Sequence, residues 1–573
     1  MSARKTSGVG LSRDDGRGTT WVARRAPSIL LAALAALVIF AALAAPHGAQ
    51  SAEGDLDATF GGGDGRVNDN FGEPYGNKAN AVVVQPDGKI VLAAQASFGQ
   101  ERGYDFALAR YNPDGSLDPT FGIGGKVVTN INLGGDIPHA LALQPDGKII
   151  AVGESISDQA GITTTEYTLV RYNPDGSLDP SFGGDGIVVT DLFGNGDTAF
   201  AVALQPDGKI VAAGSSAQNG TGANFSAARY NPDGSLDTTF GSPVPGTASR
   251  SGRVMTDLVA WNDIGRAVAL QADGRIVIAG HTQTPSTNNY DFALLRYEAD
   301  GDLDTTFGGD GWVTTRFFED DFVDDERAFA VRAQPDGKIV AAGFAWDRNE
   351  TQPASQWEDF ALARYNADGS LDPTFGAGGL VWTNISIQPG GADKFNEVTK
   401  DRAHALLLQP DGRLVAGGFA SCCNSGGTED FALTRYNPDG SLDPSFGGDG
   451  IVRTDFLGIF TDDEIYGMAL QPDGKIVAVG RAETNDRLGT YDYAVARYNA
   501  TSGASATPTP TPLTTPTPAA TPTPGGGSAG GLQYYPLPSP VRLFDTRPGQ
   551  PACSNKGSAM AAGSTYAVAA RVA

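Results

Sequence analysis

The stretch RYNPDGSLDPTFG, Arg110 to Gly122, decides the fold, because close copies of it follow along most of the chain. The first copy is present only as a tail, GDLDATFGGGDGRV, which starts at Gly54, and the last only as a head, RYNATSG, which starts at Arg497. A linear array of repeats would have no use for this offset. In a closed ring, an N-terminal strand can complete the final sheet and remove two open sheet edges.

Three sequence marks count the repeats, and each occurs seven times. The turn Gln-Pro-Asp-Gly stands at Gln85, Gln144, Gln205, Gln271 (as QADG), Gln334, Gln409 and Gln471. The pair Arg-Tyr begins at Arg110, Arg171, Arg229, Arg296, Arg364, Arg435 and Arg497. The tails begin at Gly54, Gly115, Gly176, Gly234, Gly301, Gly369 and Gly440. The spacing of about 60 to 75 residues between successive Gln marks suits a four-stranded unit.

Strands can be placed within one repeat from its apolar runs and turns. AVALQ, Ala201 to Gln205, leads into Pro-Asp-Gly, where Pro presets φ and Gly supplies the positive φ of a tight hairpin. KIVAAG, Lys209 to Gly214, is the return strand, FALARY at Phe106 to Tyr111 is the third, and GIVVTDL at Gly186 to Leu192 is the fourth. These runs are apolar on both faces, which indicates that each sheet is covered on both sides.

Sheets stacked radially around an axis meet this requirement, because every sheet lies between two others. We therefore predict an all-β fold, a seven-bladed β-propeller over about residues 54–500, closed by an N-terminal strand that completes the last blade. The segments QPDGKIVAAG, FALARYNPDGSLDPTFG and GGDGIVVT resemble the delta-60 repeat family, bacterial sequences thought to form β-propellers in exported proteins. The resemblance covers nearly all of 54–499 and departs mainly at Gln271-Ala272. It implies a fold and an extracytoplasmic setting but no catalytic residues.

Three segments flank the predicted propeller. Residues 1–52 contain the apolar run Ala26 to Ala45 behind an Arg pair, which predicts an export signal or a membrane anchor. Residues 501–531 are rich in Thr, Pro and Gly and are predicted to be an extended spacer. Residues 532–573 are expected to be the start of a truncated C-terminal module. The expected location is extracytoplasmic, either secreted or attached to the cell surface.

Composition limits the partners. The 573 residues carry a formal net charge of −25, which repels phosphate backbones, so we expect no nucleic-acid partner. Membrane contact is expected only through the N-terminal segment, and the protein is expected to be a monomer. Three cysteines and four histidines show neither a disulfide framework nor zinc spacing, so no cofactor is expected. The adjacent Cys422 and Cys423 are either unpaired thiols or a loop disulfide.

Polar residues that recur in every repeat are expected to serve the blade. Arg110 is expected to pair with an Asp such as Asp118, or with carbonyls of its own turn. The segment Asn112 to Asp118 has oxygen side chains at alternating positions around Gly115, which is typical of calcium loops. Its Pro113 and the missing bidentate Glu favour a turn held by Asx hydrogen bonds, with Ca²⁺ binding as the alternative.

Residues that differ between repeats are the candidates for binding. The positions five residues before each Gln should approach the central channel, and they vary strongly, as an asymmetric pocket requires: Asn80, His139, Phe200, Arg266, Phe329, His404 and Tyr466. Three residues earlier stand Asn77, Asp136, Asp197, Asp263, Glu326, Asp401 and Asp463. These acids either cap the start of each strand or form a cation-binding ring.

The variable loops should lie on the face opposite the Pro-Asp-Gly hairpins. They include Arg316 to Glu326, Phe344 to Asp359 and Asn384 to Arg402. Trp261, Trp346 and Trp357 fall in the middle repeats and either stack on a sugar ring or pack their own loops. The favoured hypothesis is a non-catalytic binding or scaffold module for an extracellular glycan or protein. One alternative is an extracytoplasmic hydrolase or lyase that acts on glycans with carboxylates at the channel mouth and with His139 or His404 as proton carrier. The other is a calcium-stabilised, lectin-like binder.

Overall fold

Strands joined by short turns make up the described part of this computed structural model. It comprises residues 51–72, 76–97, 103–132, 134–159, 162–217, 222–258, 262–284, 289–318, 325–348, 356–386, 399–421, 428–456, 461–484 and 490–500. All of them belong to one compact unit, 1–505, and a second unit spans 506–573. The predicted export segment up to residue 50, the spacer, the C-terminal module, Trp261, Cys422 and Cys423 lie outside the described residues.

The described residues form twenty-eight strands in seven four-stranded blades, which shows the predicted propeller. The first two blades are β2 (Lys78–Val84), β3 (Ile90–Ser97), β4 (Tyr104–Tyr111), β5 (Lys126–Thr129) and β6 (Asp136–Leu143), β7 (Ile149–Gln159), β8 (Ile162–Tyr172), β9 (Ile187–Thr190). The next two are β10 (Asn195–Leu204), β11 (Ile210–Ala217), β12 (Ala223–Tyr230), β13 (Arg253–Thr256) and β14 (Asp263–Leu270), β15 (Ile276–Gln283), β16 (Tyr290–Tyr297), β17 (Trp312–Thr315).

The fifth and sixth blades are β18 (Glu326–Ala333), β19 (Ile339–Arg348), β20 (Gln356–Tyr365), β21 (Leu380–Thr383) and β22 (Thr399–Leu408), β23 (Leu414–Ser421), β24 (Glu429–Tyr436), β25 (Ile451–Thr454). A two-residue parallel pairing between β20 and β22 links them. The seventh blade contains β26 (Asp463–Leu470), β27 (Ile476–Glu483), β28 (Tyr491–Tyr498) and β1 (Arg66–Asp69). Within it, β1 runs antiparallel to β28, with Arg66 opposite Ala496 and Asp69 opposite Tyr493.

The hydrophobic core lies between the blades. Each of the seven apolar clusters found among the described residues joins two neighbouring sheets. Between the first two blades, Phe106 and Leu108 of β4 belong to the same cluster as Ile149 of β7 and Val170 of β8. Because each middle strand contacts a neighbour on both of its faces, its side chains are apolar throughout instead of alternating with polar ones.

Both Pro-Asp-Gly turns of a blade lie on the same face of the disk. Gly88 in the first turn has φ 84°, and Gly115 in the second has φ 86°. A Cβ built on Gly88 would lie 3.4 Å from Cγ of Pro113, so the two turns are neighbours. After the second turn, the chain forms a single bridge between Leu117 and Tyr111 and then turns again, so most of the tail is not a strand.

Each Arg-Tyr pair fastens its blade to both neighbours. Arg110 Nε donates to Asp118 Oδ2 at 2.8 Å, and its Nη1 donates to the carbonyl of Pro174 in the following blade. Tyr172 donates its hydroxyl proton to Thr129 Oγ1 of the preceding blade at 2.9 Å. The Arg contact to the next turn recurs at Arg171, Arg229, Arg296, Arg364, Arg435 and Arg497. The predicted pairing with Asp is present, and the carbonyl partner belongs to the next blade.

Strands in the fifth blade extend further than the sequence pattern predicts. The stretch from Phe344 to Asp359 was expected to be a loop, but β19 continues to Arg348 and β20 starts at Gln356. The two strands stay in register there, with Trp346 opposite Glu358. Backbone pairing along a continuing hairpin does not require apolar side chains, which is why the polar composition of this stretch concealed it.

Candidate functional site

A β-bulge in each inner strand positions the candidate channel residues. In β2 the register to β3 shifts between Ala79 and Ala81, which leaves Asn80 as the extra residue. The same shift occurs in every blade, and the extra residues are Asn80, His139, Phe200, Arg266, Phe329, His404 and Tyr466. A bulge turns a side chain out of the regular alternation of the strand. The seven positions selected for their variability therefore share one backbone feature at the channel.

The inner strands enclose a cavity of about 190 Å³ on the axis, to which all seven blades contribute. Small residues such as Ala81, Ala140 and Ala201 line it beside larger side chains. Asn80, Arg266, Phe329, His404 and Tyr466 line the cavity, together with Arg332. The volume lies below the range typical of drug-sized ligands, so it suits a small group.

Aromatic rings occupy one side of the channel. His404 stacks on Tyr466 with ring centroids 5.0 Å apart and an interplanar angle of 18°. On its other side, His404 meets Phe329 edge to face at 5.1 Å. His404 Nδ1 lies 3.1 Å from the backbone carbonyl of Ile465, so the ring position is fixed by both stacking and a hydrogen bond.

The opposite side combines a cation with an aromatic pair. The guanidinium of Arg266 lies 4.2 Å from the ring centroid of Phe200. Phe200 in turn lies 4.9 Å from the ring of His139. Asn80 Nδ2 donates to the carbonyl of Pro138 at 2.8 Å, which ties the first blade to the second. Phe200 thus contacts both His139 and Arg266 on this side, and His139 and Phe200 are not among the residues that line the cavity.

Charged side chains next to the channel are mostly paired. Arg327 binds Asp325 through two hydrogen bonds of 2.8 Å. Arg402 forms a two-point ion pair with Glu358. Arg481 pairs with Glu464 of the same blade. Glu464 also accepts a hydrogen bond from the Tyr466 hydroxyl.

Burial sets the protonation of the channel histidines. Burial lowers the pKa of His139 to about 3, and the charges of Lys78 and Arg266 act in the same direction. Burial also lowers the pKa of His404 to about 4, although Glu464 opposes the shift. Both histidines are therefore neutral at pH 7. Burial and the neighbouring Glu464 raise the pKa of Glu429 to about 8, so Glu429 holds a proton at neutral pH.

The acids at the strand starts bind the backbone of the segment that precedes each inner strand. Asp136 Oδ2 accepts a hydrogen bond from Ile131 N at 2.8 Å. The same contact is made by Asp197, Asp263, Glu326, Asp401 and Asp463. This is the geometry of strand-start capping, one of the two roles that the sequence left open.

Among the described residues, one group of carboxylates is close enough to hold a cation. Oxygen atoms of Asp430, Asp455 and Asp463 lie within 4.8 Å of one another, and Asp463 is fully buried. In the first blade, Asn130 donates to Asp105 at 2.9 Å. Asp455 stands where Asn130 does, as the residue after the Thr that ends the outer strand, so a third acid replaces a neutral donor in the sixth blade.

Of the three tryptophan candidates, only Trp346 has a side chain within the described part of the structure. Trp346 is half-buried in β19, and its Nε1 is buried without a hydrogen-bond partner among the described residues. Trp357 is the backbone partner of Asp347 and Thr399, and its side chain lies outside the described part of the structure.

Sequence reasoning missed several charged residues of the channel, including Lys78, Arg332 and Glu464. A signal for Arg332 was present in the repeats. Two residues before each Gln stand Val83, Ala142, Ala203, Ala269, Arg332, Leu407 and Ala469, so the fifth repeat alone carries a charge there. Within a repeat protein, such a departure from an apolar position indicates a role that the blade itself does not need.

Seven segments match one family model, whose description is a domain of unknown function (DUF5122) beta-propeller. The matched residues are 85–121, 144–182, 205–240, 271–307, 334–375, 409–446 and 471–504. No curated protein matches the chain. Within the described ranges, no helix has the length and apolar character needed to cross a membrane.

Solved structures with similar architecture have low sequence identity. Polysaccharide lyase Uly1 is 11% identical, with a TM-score of 0.38, over 75% of this chain and 90% of its own. An ulvan lyase is 10% identical, with a TM-score of 0.37, over 75% and 95%. The α-L-arabinofuranosidase Arb93A from Fusarium graminearum, in complex with an iminosugar inhibitor, is 9% identical, with a TM-score of 0.36, over 78% and 98%. The seven matched repeats and the seven four-stranded blades show that the chain is a β-propeller built from repeats.

Proposed function

We propose that this protein is a non-catalytic binding module that receives a small ligand, or one group of a larger ligand, in the central channel. The supporting observation is the position of the seven bulge residues, which differ in chemistry although the strands around them repeat. A purely structural ring would be served by one residue type in all seven blades. The mixture of aromatic rings, amides and cations is what selective binding requires.

The rest of the proposal concerns where the module acts. Residues 1–52 would export or anchor the chain, and the spacer 501–531 would hold the propeller away from the cell. The delta-60 repeat resemblance supports this extracytoplasmic setting. An extracellular glycan is the ligand class that best fits a channel lined by aromatic and hydrogen-bonding side chains. The variable loops, which are predicted on the face opposite the Pro-Asp-Gly hairpins, would add contacts to the part of the ligand outside the channel.

A glycan array with the full-length protein tests this function. Phe329→Ala removes one aromatic wall of the channel and is expected to weaken binding by about tenfold or more. Ile123→Ala is the matched control, because Ile123 is 92% exposed and lies in the turn before the outer strand β5. Equal binding by the wild type and Phe329→Ala would contradict a channel site.

A hydrolase or lyase remains the second candidate, and the Glu429 and Glu464 pair favours it. Their pKa values are driven apart: that of Glu429 is raised to about 8, whereas Arg481 and hydrogen bonds from Glu429 and Tyr466 lower that of Glu464 despite its burial. A protonated and an ionised carboxyl side by side are typical of acid–base catalysis. His139 and His404, by contrast, are neutral. Turnover on a glycan panel that Glu464→Gln abolishes would establish the enzyme.

The calcium-stabilised, lectin-like binder is the third candidate. The group of Asp430, Asp455 and Asp463 supports it, because Ca²⁺ prefers carboxylate ligands. Calcium should then raise the melting temperature, and a chelator should lower it. If melting with calcium matches melting with chelator, this candidate is removed.

A further inference from the structure

The central cavity holds positive charges that none of its own lining residues neutralises. Arg266 and Arg332 line it, and no Asp or Glu does. Arg332 Nη1 donates to the carbonyl of its own neighbour Val331 at 2.9 Å. The Nε of Arg266 is buried without a hydrogen-bond partner, and its guanidinium rests on the Phe200 ring. Within the described residues, neither arginine forms an ion pair.

A third cation, Lys78, lies beside the same cavity. Its Nζ is 3.5 Å from the ring centroid of Tyr466, and it forms no ion pair with any described residue. Burial lowers the pKa of Lys78 to about 8, Arg481 and Arg266 lower it further, and Glu464 opposes them. Burial also lowers the pKa of Arg266 to about 10. Burial and neighbouring positive charges outweigh Glu464 at Lys78 and Glu154 at Arg266, so both pKa values fall.

Other arginines close to the channel have ion-pair partners, so an unpaired cation is not a general feature of the chain. Arg327, Arg402 and Arg481 each have a carboxylate partner, and the recurrent Arg of every blade has its Asp. The whole chain also carries 66 acidic against 41 basic side chains, so carboxylates are abundant. A partly buried charge without a partner reduces stability, and proteins retain such groups mainly where a ligand completes them.

We propose that the cavity binds an oxoanion, a carboxylate, sulfate or phosphate, through the guanidinium groups of Arg266 and Arg332. This inference rests on the proposed function, because it assigns a ligand chemistry to the same channel. Guanidinium groups present planar N–H donors that match the paired oxygens of such anions. The small cavity admits one such group, either as a free anion or as the acidic substituent of a sugar. Lys78 adds positive charge at longer range.

The test measures thermal melting and titration calorimetry of the full-length protein at constant ionic strength. The probes are sulfate, phosphate and glucuronate, with chloride and neutral glucose as controls. At least one oxoanion should raise the melting temperature, whereas chloride and glucose should not. Arg266→Met and Arg332→Met should each weaken that binding by roughly tenfold or more. Arg250→Met is the matched control, since Arg250 pairs with Asp300 and Asp302 outside the channel.

The ligand-free variants provide a second readout. Because Arg266→Met and Arg332→Met remove unpaired charges, they should melt at or above the wild-type temperature without ligand. Stronger binding of glucuronate than of sulfate or phosphate would identify an acidic sugar as the source, and the reverse order a free anion. The proposal is overturned if no oxoanion exceeds the chloride control or if both variants bind as the wild type does.

Failure of this inference and failure of the proposed function give different results. If glycans bind in the channel and the two arginine variants bind them as the wild type does, the result supports the binding module and contradicts the oxoanion site. If an oxoanion binds through both arginines and no glycan binds, the result supports the oxoanion site and contradicts a glycan ligand.

Discussion

Single residues in this protein separate into those that repeat for the blade and those that vary for the channel. Arg171 and Asp179 are about 95% buried, and Arg171 contacts the carbonyl of Pro232 in the next blade. Burial would raise the pKa of Asp179, but hydrogen bonds from Ser181 and Lys148 and the charge of Arg171 keep it well below its ordinary value. This cluster gives the sevenfold recurrence of the motif a structural reason.

Arg171→Lys should lower the free energy of unfolding by about 1–3 kcal/mol, because Lys keeps the charge but cannot reach both Asp179 and the neighbouring turn. Urea denaturation measures the effect. Lys148→Met is the control, since the half-exposed Lys148 contacts the same Asp179 and should cost less than about 1 kcal/mol. A larger loss of unfolding free energy in Lys148→Met than in Arg171→Lys would contradict the stabilising role of the Arg171 contacts to Asp179 and Pro232.

His139→Phe tests the protonation of the channel. The unfolded state binds a proton near pH 6.5, whereas folded His139 does so only near pH 3, so this residue destabilises the fold as pH falls between them. The third and fifth repeats already carry Phe at this position. Relative to the wild type, the variant should therefore gain about 2 kcal/mol between pH 7 and pH 5.

Buried acids such as Asp136 and Asp401, with pKa values of about 6, shift stability in the opposite direction over part of this range. These acids are present in both the wild type and His139→Phe. The difference between the two profiles of unfolding free energy against pH therefore isolates the contribution of His139. Parallel profiles from urea denaturation at each pH would contradict the assigned protonation.

At the scale of elements, the two Gly turns of a blade have the same backbone but different surroundings. A Cβ on Gly115 would lie 2.6 Å from Gly61 N of the neighbouring blade, whereas one on Gly88 meets nothing closer than 3.4 Å. The second turn thus sets the spacing between blades. The inner strand is likewise defined by its bulge, which turns one residue per blade toward the channel.

Gly88→Ala should cost about 1–2 kcal/mol, which is the strain of a left-handed conformation in an L-residue. Gly115→Ala has the same strain and should cost a further 1–3 kcal/mol, approximately, because the neighbouring backbone must move. Thermal and urea denaturation of the two variants measure the difference. Equal losses would show that the contact between blades is not tight.

At the scale of the molecule, β1 supplies the last strand and also the last inter-blade contact. Tyr111 of the first blade bonds with Tyr493 at 2.8 Å and with Asp69 at 3.3 Å. In the other blades, the partner of this Tyr is the Thr that ends the outer strand of the preceding blade. Asp69, at the end of β1, occupies the place of that Thr in the seventh blade. Arg497 of β28 contacts the Pro113 turn of the first blade.

Deleting residues 51–69 should expose the edge of β28, lower the melting temperature and promote association through that edge. A deletion of residues 1–50, which keeps β1, is the control. Light scattering after size-exclusion chromatography and calorimetry measure both effects. A truncated protein that stays monomeric and melts with the control would refute a stabilising role of β1.

The sequence alone determined the number of blades, the all-β class and the position of the variable channel residues, because each depends on a pattern that recurs along the chain. The offset between Gly54 and Arg497 also predicted the shared sheet, since a hydrogen-bonded edge must be satisfied somewhere. These are local and periodic properties. A repeat displays them seven times, so chance matches are averaged out.

Only the tertiary structure decided which charges are paired. Arg481 has Glu464, whereas Lys78, Arg266 and Arg332 have no ion-pair partner among the described residues. Arg481 and Glu464 face each other on neighbouring strands of one blade. The surroundings of Arg266 and Arg332 instead depend on how the inner strands of different blades meet at the cavity, and no periodic pattern encodes those distances. The same holds for the carboxylates of Asp430, Asp455 and Asp463, which meet only because two adjacent blades pack together.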